Sequence, residues 1–222
     1  MLTLVKNGIK LSTVVLVALL AGCSSKVAEK NQYSGFLDDY SVLKPVKTAQ
    51  GQQTLRWVSP AWHQNNYRSA YFAPVVYYPT PAPNRRVSAV TLEEIRSYTQ
   101  QQLKNAVGQK FTLLPQPQQG SLIVKAAITA VTAENKSVQF YEVVPVAAVV
   151  ASTMAATGHR SQNAVLFLEA EVIDATTQQP VIRVVRKGYG KSVSDSSAPI
   201  TAAEVKQAID EMVADTIAFP AS

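Results

Sequence analysis

Period-two alternation runs through the second half of this chain and limits its fold more than any other feature. From Ser121 to Ala133, the residues Leu122, Val124, Ala126, Ile128 and Ala130 fall on one side, with Lys125 and Thr129 on the other. Successive side chains of an extended strand point to opposite faces, so this segment reads as a half-buried strand. Ala164–Asp174 and Val181–Gly190 read as two further strands, joined by a hairpin turn at Ala175-Thr176-Thr177-Gln178-Gln179-Pro180. Leu166, Leu168, Ala170 and Val172 share one face; Phe167, Glu169, Glu171 and Ile173 share the other, with both carboxylates expected outward and solvated. A sheet with one apolar face needs a second layer to cover it.

Two segments supply that layer. Thr91-Leu92-Glu93-Glu94 and Thr201-Ala202-Ala203-Glu204 each place Thr three residues before Glu, the pattern of a capping box. Leu92, Ile95, Leu103 and Val107 then recur at helical spacing, with Gly108 as the expected stop. Val205, Ile209, Met212, Val213 and Ile217 form the apolar stripe of the second helix, opposite Lys206, Asp210 and Glu211. Thr54–Val58, Phe72–Tyr78 and Phe111–Leu114 are shorter strands, Pro74 and Pro79 consigning the middle one to an edge. Residues 34–222 are therefore expected to form a single two-layer α+β domain. Its sheet would have four to six mainly antiparallel strands, with two amphipathic helices on one face.

The start of the chain decides its compartment. Lys6 and Lys10 are the only charges in the first 25 residues, and an apolar run from Leu11 to Ala21 follows them. The run is short of the ~20 residues a spanning helix needs, so it reads as an export signal rather than an anchor. It closes on Leu20-Ala21-Gly22-Cys23, which resembles the lipobox of bacterial lipoproteins, and Cys23 is the single cysteine of the chain. The resemblance implies cleavage between Gly22 and Cys23, removal of residues 1–22, and acylation of Cys23 as an S-diacylglyceryl, N-acyl cysteine. One acyl chain holds a membrane weakly and two or three hold it firmly. In a two-membraned host, Ser24 in place of an acidic residue implies sorting to the outer membrane, with the fold on its periplasmic side. Residues 23–33 read as the lipidated N-terminus and a polar tether.

Cleavage also changes the charge. Removing Lys6 and Lys10 leaves 19 basic against 15 acidic residues, so the formal net charge falls from +6 to +4. The excess sits in residues 23–90, which hold eight basic and three acidic residues. That bias suits an anionic membrane surface, and without any nucleic-acid-binding motif it excludes nucleic acid as the expected partner.

The mature chain then opens with Ser34-Gly35-Phe36-Leu37-Asp38-Asp39-Tyr40-Ser41-Val42-Leu43. This segment resembles the opening signature (SGFL, one residue, DYS, one residue, L) of a family of bacterial outer-membrane lipoproteins known only as a domain of unknown function. The resemblance supports location and architecture and brings no enzymatic activity. From the residues alone, the motif is either an arm whose Phe36, Leu37, Tyr40 and Leu43 pack onto the domain or a partner contact. The 175–180 turn also resembles that family, except that Gln178 stands where glycine is expected, so a different turn geometry is anticipated.

Two features suggest interaction. Residues 54–83 gather Trp57, Trp62, Tyr77 and Tyr78 with five prolines, either as a loop pinned by its own aromatics or as a peptide- or glycan-binding surface. Val143–Gly158 is uncharged and reads as a helix of about thirteen residues between Pro145 and Gly158. Its Ala147, Ala151 and Ala155 form a small-residue stripe suited to core packing, self-association or membrane contact. Catalysis finds little support. The two histidines, His63 and His159, lie in unrelated segments, and there is no nucleophile elbow, paired-histidine metal spacing or phosphate-cradling glycine loop. The expectation is a non-enzymatic envelope binding or assembly protein without cofactor or metal. Its rivals are a hydrolase built around His63 or His159 and a glycan- or peptide-binding module.

Overall fold

The computed structural model describes residues 27–135, 162–194 and 197–219. Among them the chain builds β1 (Lys44–Lys47), β2 (Gln53–Val58), β3 (Ser69–Phe72), β4 (Val76–Tyr77), α1 (Ala89–Gly108), β5 (Thr112–Leu114), β6 (Leu122–Asn135), β7 (Gln162–Asp174), β8 (Pro180–Val193) and α2 (Ala202–Ile217). The strands form one sheet in the order β1-β2-β8-β7-β6-β3-β5, with β4 also pairing with β6. Both helices cover one face, giving the expected α+β domain.

The sheet is larger than the four to six strands expected, with eight, and part of it is parallel. β3 and β4 run parallel to β6, and β5 parallel to β3, while the remaining pairs are antiparallel. Parallel neighbours need a crossover of a dozen or more residues. The twenty-residue α1, lying between β4 and β5 in the chain, provides it. The expected strand over 72–78 is split, because Pro74 has no N–H to give and the Val75 N–H turns away to the Gln100 side chain of α1, 2.5 Å away.

Helix α1 begins earlier than its apparent capping box. Ser88 is the N-cap and its side chain accepts from the Thr91 N–H at 3.0 Å, so Thr91 is itself the third helical residue. Glu93 is then free to pair with Arg96 at 2.6 Å on the exposed face. Gly108 is the last residue of the helix rather than its left-handed stop. A Cβ there would come within 3.1 Å of the Leu113 side chain of β5. Helix α2 starts where expected, with Thr201 and Glu204 capping each other reciprocally.

The main core lies between sheet and helices. Leu122, Val124, Ala126 and Ile128 of β6 and Leu166 and Leu168 of β7 pack against Leu92, Ile95 and Leu103 of α1 and Val205, Ile209 and Met212 of α2. Each such Leu, Val, Ile or Met side chain contributes roughly 1.5–3 kcal/mol when fully buried. β8 admits α2 closely because it carries two glycines. A Cβ on Gly188 would meet the Met212 Cε at 2.6 Å, and one on Gly190 would run into the Glu204 carbonyl. A register shift in β6 between Ile128 and Ala130 then exchanges the faces. Val131 joins the helix-side core, and Ala130, expected beside Ile128, belongs to the cluster on the opposite face.

Candidate functional site

That opposite face is covered by the chain's own N-terminal arm. Ala28 and Leu37 are buried with Leu55, Ala130, Val165, Phe167 and Val185, and Val27, Tyr33, Phe36, Tyr40 and Leu43 pack around them. Within the segment expected as a tether, residues 23–33, Ala28 is buried at 3% exposed, while Glu29, Lys30 and Asn31 are exposed.

The opening signature makes local bonds that shape the arm and reaches one distant carboxylate. Gly35 takes φ +87°, a left-handed conformation that glycine adopts without penalty. The turn lets the Gly35 and Leu37 N–H groups donate to the Tyr40 hydroxyl oxygen at 2.9 and 3.1 Å. The same hydroxyl donates to Glu169 Oε2 at 2.5 Å, and the Ser34 N–H donates to Glu169 Oε1 at 2.9 Å. Tyr33 stacks on Tyr40 with centroids 4.5 Å apart, and Phe36 meets Tyr78 edge-on at 5.8 Å. Burial, then the Glu169 hydrogen bond, pushes the Tyr40 phenol up to about 12.

Glu169, expected in solvent, is 0% exposed. Its neighbour Glu171 faces Arg183 directly across β7 and β8 and accepts from Arg183 Nε at 2.8 Å. Arg183 also lies 3.7 Å from Asp39 of the arm through Nη1, joining the motif's acidic residue to the sheet. Ser41 donates to Asp39 from its hydroxyl and its amide, and together with Arg183 holds that carboxyl below its usual range. Glu169 thus binds the arm directly, and Glu171 holds the Arg183 that meets Asp39. Their cover comes from more than 120 residues earlier in the chain, so strand alternation alone carries no sign of it.

Trp57, Trp62, Tyr77 and Tyr78 do not form one surface. Trp57 lies beside the Arg183 guanidinium, 5.9 Å from ring centroid to carbon. Trp62 is 5% exposed, stacks on Tyr67 and points into the interior beneath the helices. Tyr77 donates to the Leu92 carbonyl of α1 at 2.8 Å. Tyr78 is 41% exposed beside Phe36. His63 is exposed at the start of a short 3-10 turn, Gln64–Asn66, and makes no capping bond with its side chain. Gly22, Cys23, the stripe Ala147, Ala151 and Ala155, and His159 lie outside the described residues. Among the described residues, no three His, Cys, Asp or Glu side chains gather closely enough to hold a metal ion. No described helix is long and apolar enough to cross a membrane.

The comparison with known families bears on this arm. A family model described as "Protein of unknown function (DUF3313)" matches residues 32–216. The chain belongs to the DUF3313 family. The matched span contains the whole signature and its receptor, from Ser34 and Tyr40 to Glu169 and Arg183. This DUF3313 protein is 44% identical over 200 residues to the "Uncharacterized lipoprotein YdcL" of Escherichia coli (strain K12), covering 90% of each chain. The family is thus a lipoprotein family of unknown function, with the membrane association that lipoproteins have. Among solved structures, protein XCC0632 from Xanthomonas campestris is similar with a TM-score of 0.40 and 12% identity, over 73% of this chain and 87% of that one. The PelC dodecamer from Paraburkholderia phytofirmans matches at 0.34 and 11%, over 75% and 98%.

Proposed function

We propose that this chain is a non-enzymatic lipoprotein of the outer membrane, exported by residues 1–22, cleaved between Gly22 and Cys23, and held on the periplasmic face through acylated Cys23. Its folded domain works there by binding or assembly within the cell envelope. The observation that carries this reading is the sequence Leu20-Ala21-Gly22-Cys23 closing an apolar leader, in a chain 44% identical to a lipoprotein. Ser24 after the cysteine supports outer-membrane sorting, and the positive bias of residues 23–90 supports an anionic surface close to the anchor. Its partners are membrane lipid and an envelope protein or a second copy, the latter through Ala147, Ala151 and Ala155.

Replacing Cys23 by Ala tests the anchor. Labelled palmitate should no longer enter the protein, and the uncleaved precursor should accumulate. A variant that was still acylated and still sorted to the outer membrane would end this account. Crosslinking in the native envelope, followed by identification of what is joined, separates a second copy from a different protein.

A further inference from the structure

Beneath α2 the two layers do not close completely. A cavity of about 150 Å³ remains between the sheet and the helices. Its walls are mostly apolar, including Ala126 of β6, Leu168 of β7, Val184 of β8, Met212 of α2 and the Trp62 ring. A volume of this order admits an apolar body about the size of benzene.

An apolar void alone would imply only imperfect packing, but this one contains polar groups without partners. Arg186 of β8 is 5% exposed, and its Nη2 lies 2.5 Å from Oδ2 of Asp215 on α2. The contact lacks hydrogen-bond alignment: Arg186 Nε and Nη1 have no partner, and neither do Oδ1 and Oδ2 of Asp215. Trp62 Nε1, also buried on this cavity, has none either. Buried polar groups without partners are rare in folded proteins, and here three such donors stand against two such acceptors, both on Asp215.

The charges indicate its sign. Arg56 lies 4.9 Å over the Phe219 ring, and Lys110 donates to the Phe219 carbonyl at 2.7 Å; both residues line the cavity with Arg186. Against these three cations stand Asp215, in the wall, and Glu211, which acts on Arg186 from the preceding turn of α2. The balance leaves room for one negative charge.

We propose that this cavity is a binding site for a small acyl carboxylate. A chain of about six carbons fills the apolar part, and the carboxylate supplies the acceptor that Arg186 and Trp62 lack. The site stands on the cavity alone and is independent of how the chain is anchored.

The test uses the full chain in phosphatidylcholine nanodiscs, titrated with hexanoate, hexan-1-ol and hexylammonium, and read by tryptophan fluorescence and Tm. Hexanoate should give a saturable signal and raise Tm, while the alcohol and the amine should bind at least tenfold more weakly. Ala126→Leu fills the cavity without touching a charge and should abolish the hexanoate response. Arg186→Met should weaken it at least tenfold. Equal binding of all three probes would overturn the anionic site. So would wild-type hexanoate affinity in Ala126→Leu, or no response to hexanoate in a folded wild type. If either variant fails to fold, the ranking of the three probes on the wild type decides.

Discussion

The Tyr40 hydroxyl donates to Glu169 at 2.5 Å, joining residues 129 positions apart. On one side is a phenol that two arm amides already hold in place; on the other is a carboxylate with no exposed surface. A buried carboxylate is costly unless hydrogen-bonded, and here the Tyr40 hydroxyl and the Ser34 amide of the arm bond to it. The N-terminal arm is therefore fastened to the domain at this carboxylate.

Glu169→Ala should release that arm. The substitution leaves the Tyr40 hydroxyl and the Ser34 N–H without their acceptor, at about 1–3 kcal/mol for each buried group left unpaired. Chymotrypsin should then cut after Tyr33, Phe36 or Tyr40 before the rest of the domain is touched. Glu169→Gln keeps an acceptor and should be cut more slowly. An arm equally protected in all three proteins would contradict the assigned contact.

Alkaline pH should act at the same place. Tyr40 is pushed up to about 12 from an ordinary value of 10.0, by burial first and by Glu169 second. A raised acid favours its neutral form in the folded state, so its contribution is complete below pH 10 and is lost between pH 10 and 12. Arm protection should fall across that window, together with a late rise in tyrosinate absorbance. In Tyr40→Phe the absorbance step should shrink, and arm protection should already be weaker at neutral pH.

The two glycines of β8 should respond unequally to alanine. At Gly188 the obstacle includes the mobile end of Met212, which can swing aside, so the cost should be about 1 kcal/mol. At Gly190 the obstacle is the Glu204 carbonyl in the first turn of α2, and backbone cannot yield. Gly190→Ala should cost about 3 kcal/mol or more, seen as a fall in denaturation midpoint and faster amide exchange along α2.

The 174–179 turn offers a gain. Gln178 holds φ +59°, the only left-handed backbone at a non-glycine residue among those described. Gln178, which stands where glycine is expected, takes the left-handed conformation itself, and its Nε2 donates to the Ala175 carbonyl at 2.7 Å. Relieving left-handed strain is worth about 1 kcal/mol, so Gln178→Gly should raise Tm by a few degrees. A lower Tm would show that the side-chain bond outweighs the strain.

The parts of this fold readable in advance are those whose cause is local. Thr201 and Glu204 cap α2 within four residues, and the alternation from Leu166 to Val172 correctly assigns a face to each side chain. What escaped has causes far away in sequence or depends on one backbone irregularity. Ala130 changed faces because of a single register shift after Ile128. Helix α1 is capped three residues before Thr91 because Ser88 is an equally good cap. Glu169 is buried by an arm that strand periodicity cannot register. Trp62 is aromatic and near prolines like its neighbours, and only the packed layers show that it faces inward.

Ala28 is buried, and five peptide steps separate it from Cys23. Fully extended, they span at most about 17 Å. A folded chain of this size has a radius of gyration of about 16 Å. With Cys23 acylated as proposed, the leash is thus about as long as the radius of the body it holds. Under that proposal the domain would stay close to the headgroups, and whatever it meets would have to come to the bilayer surface.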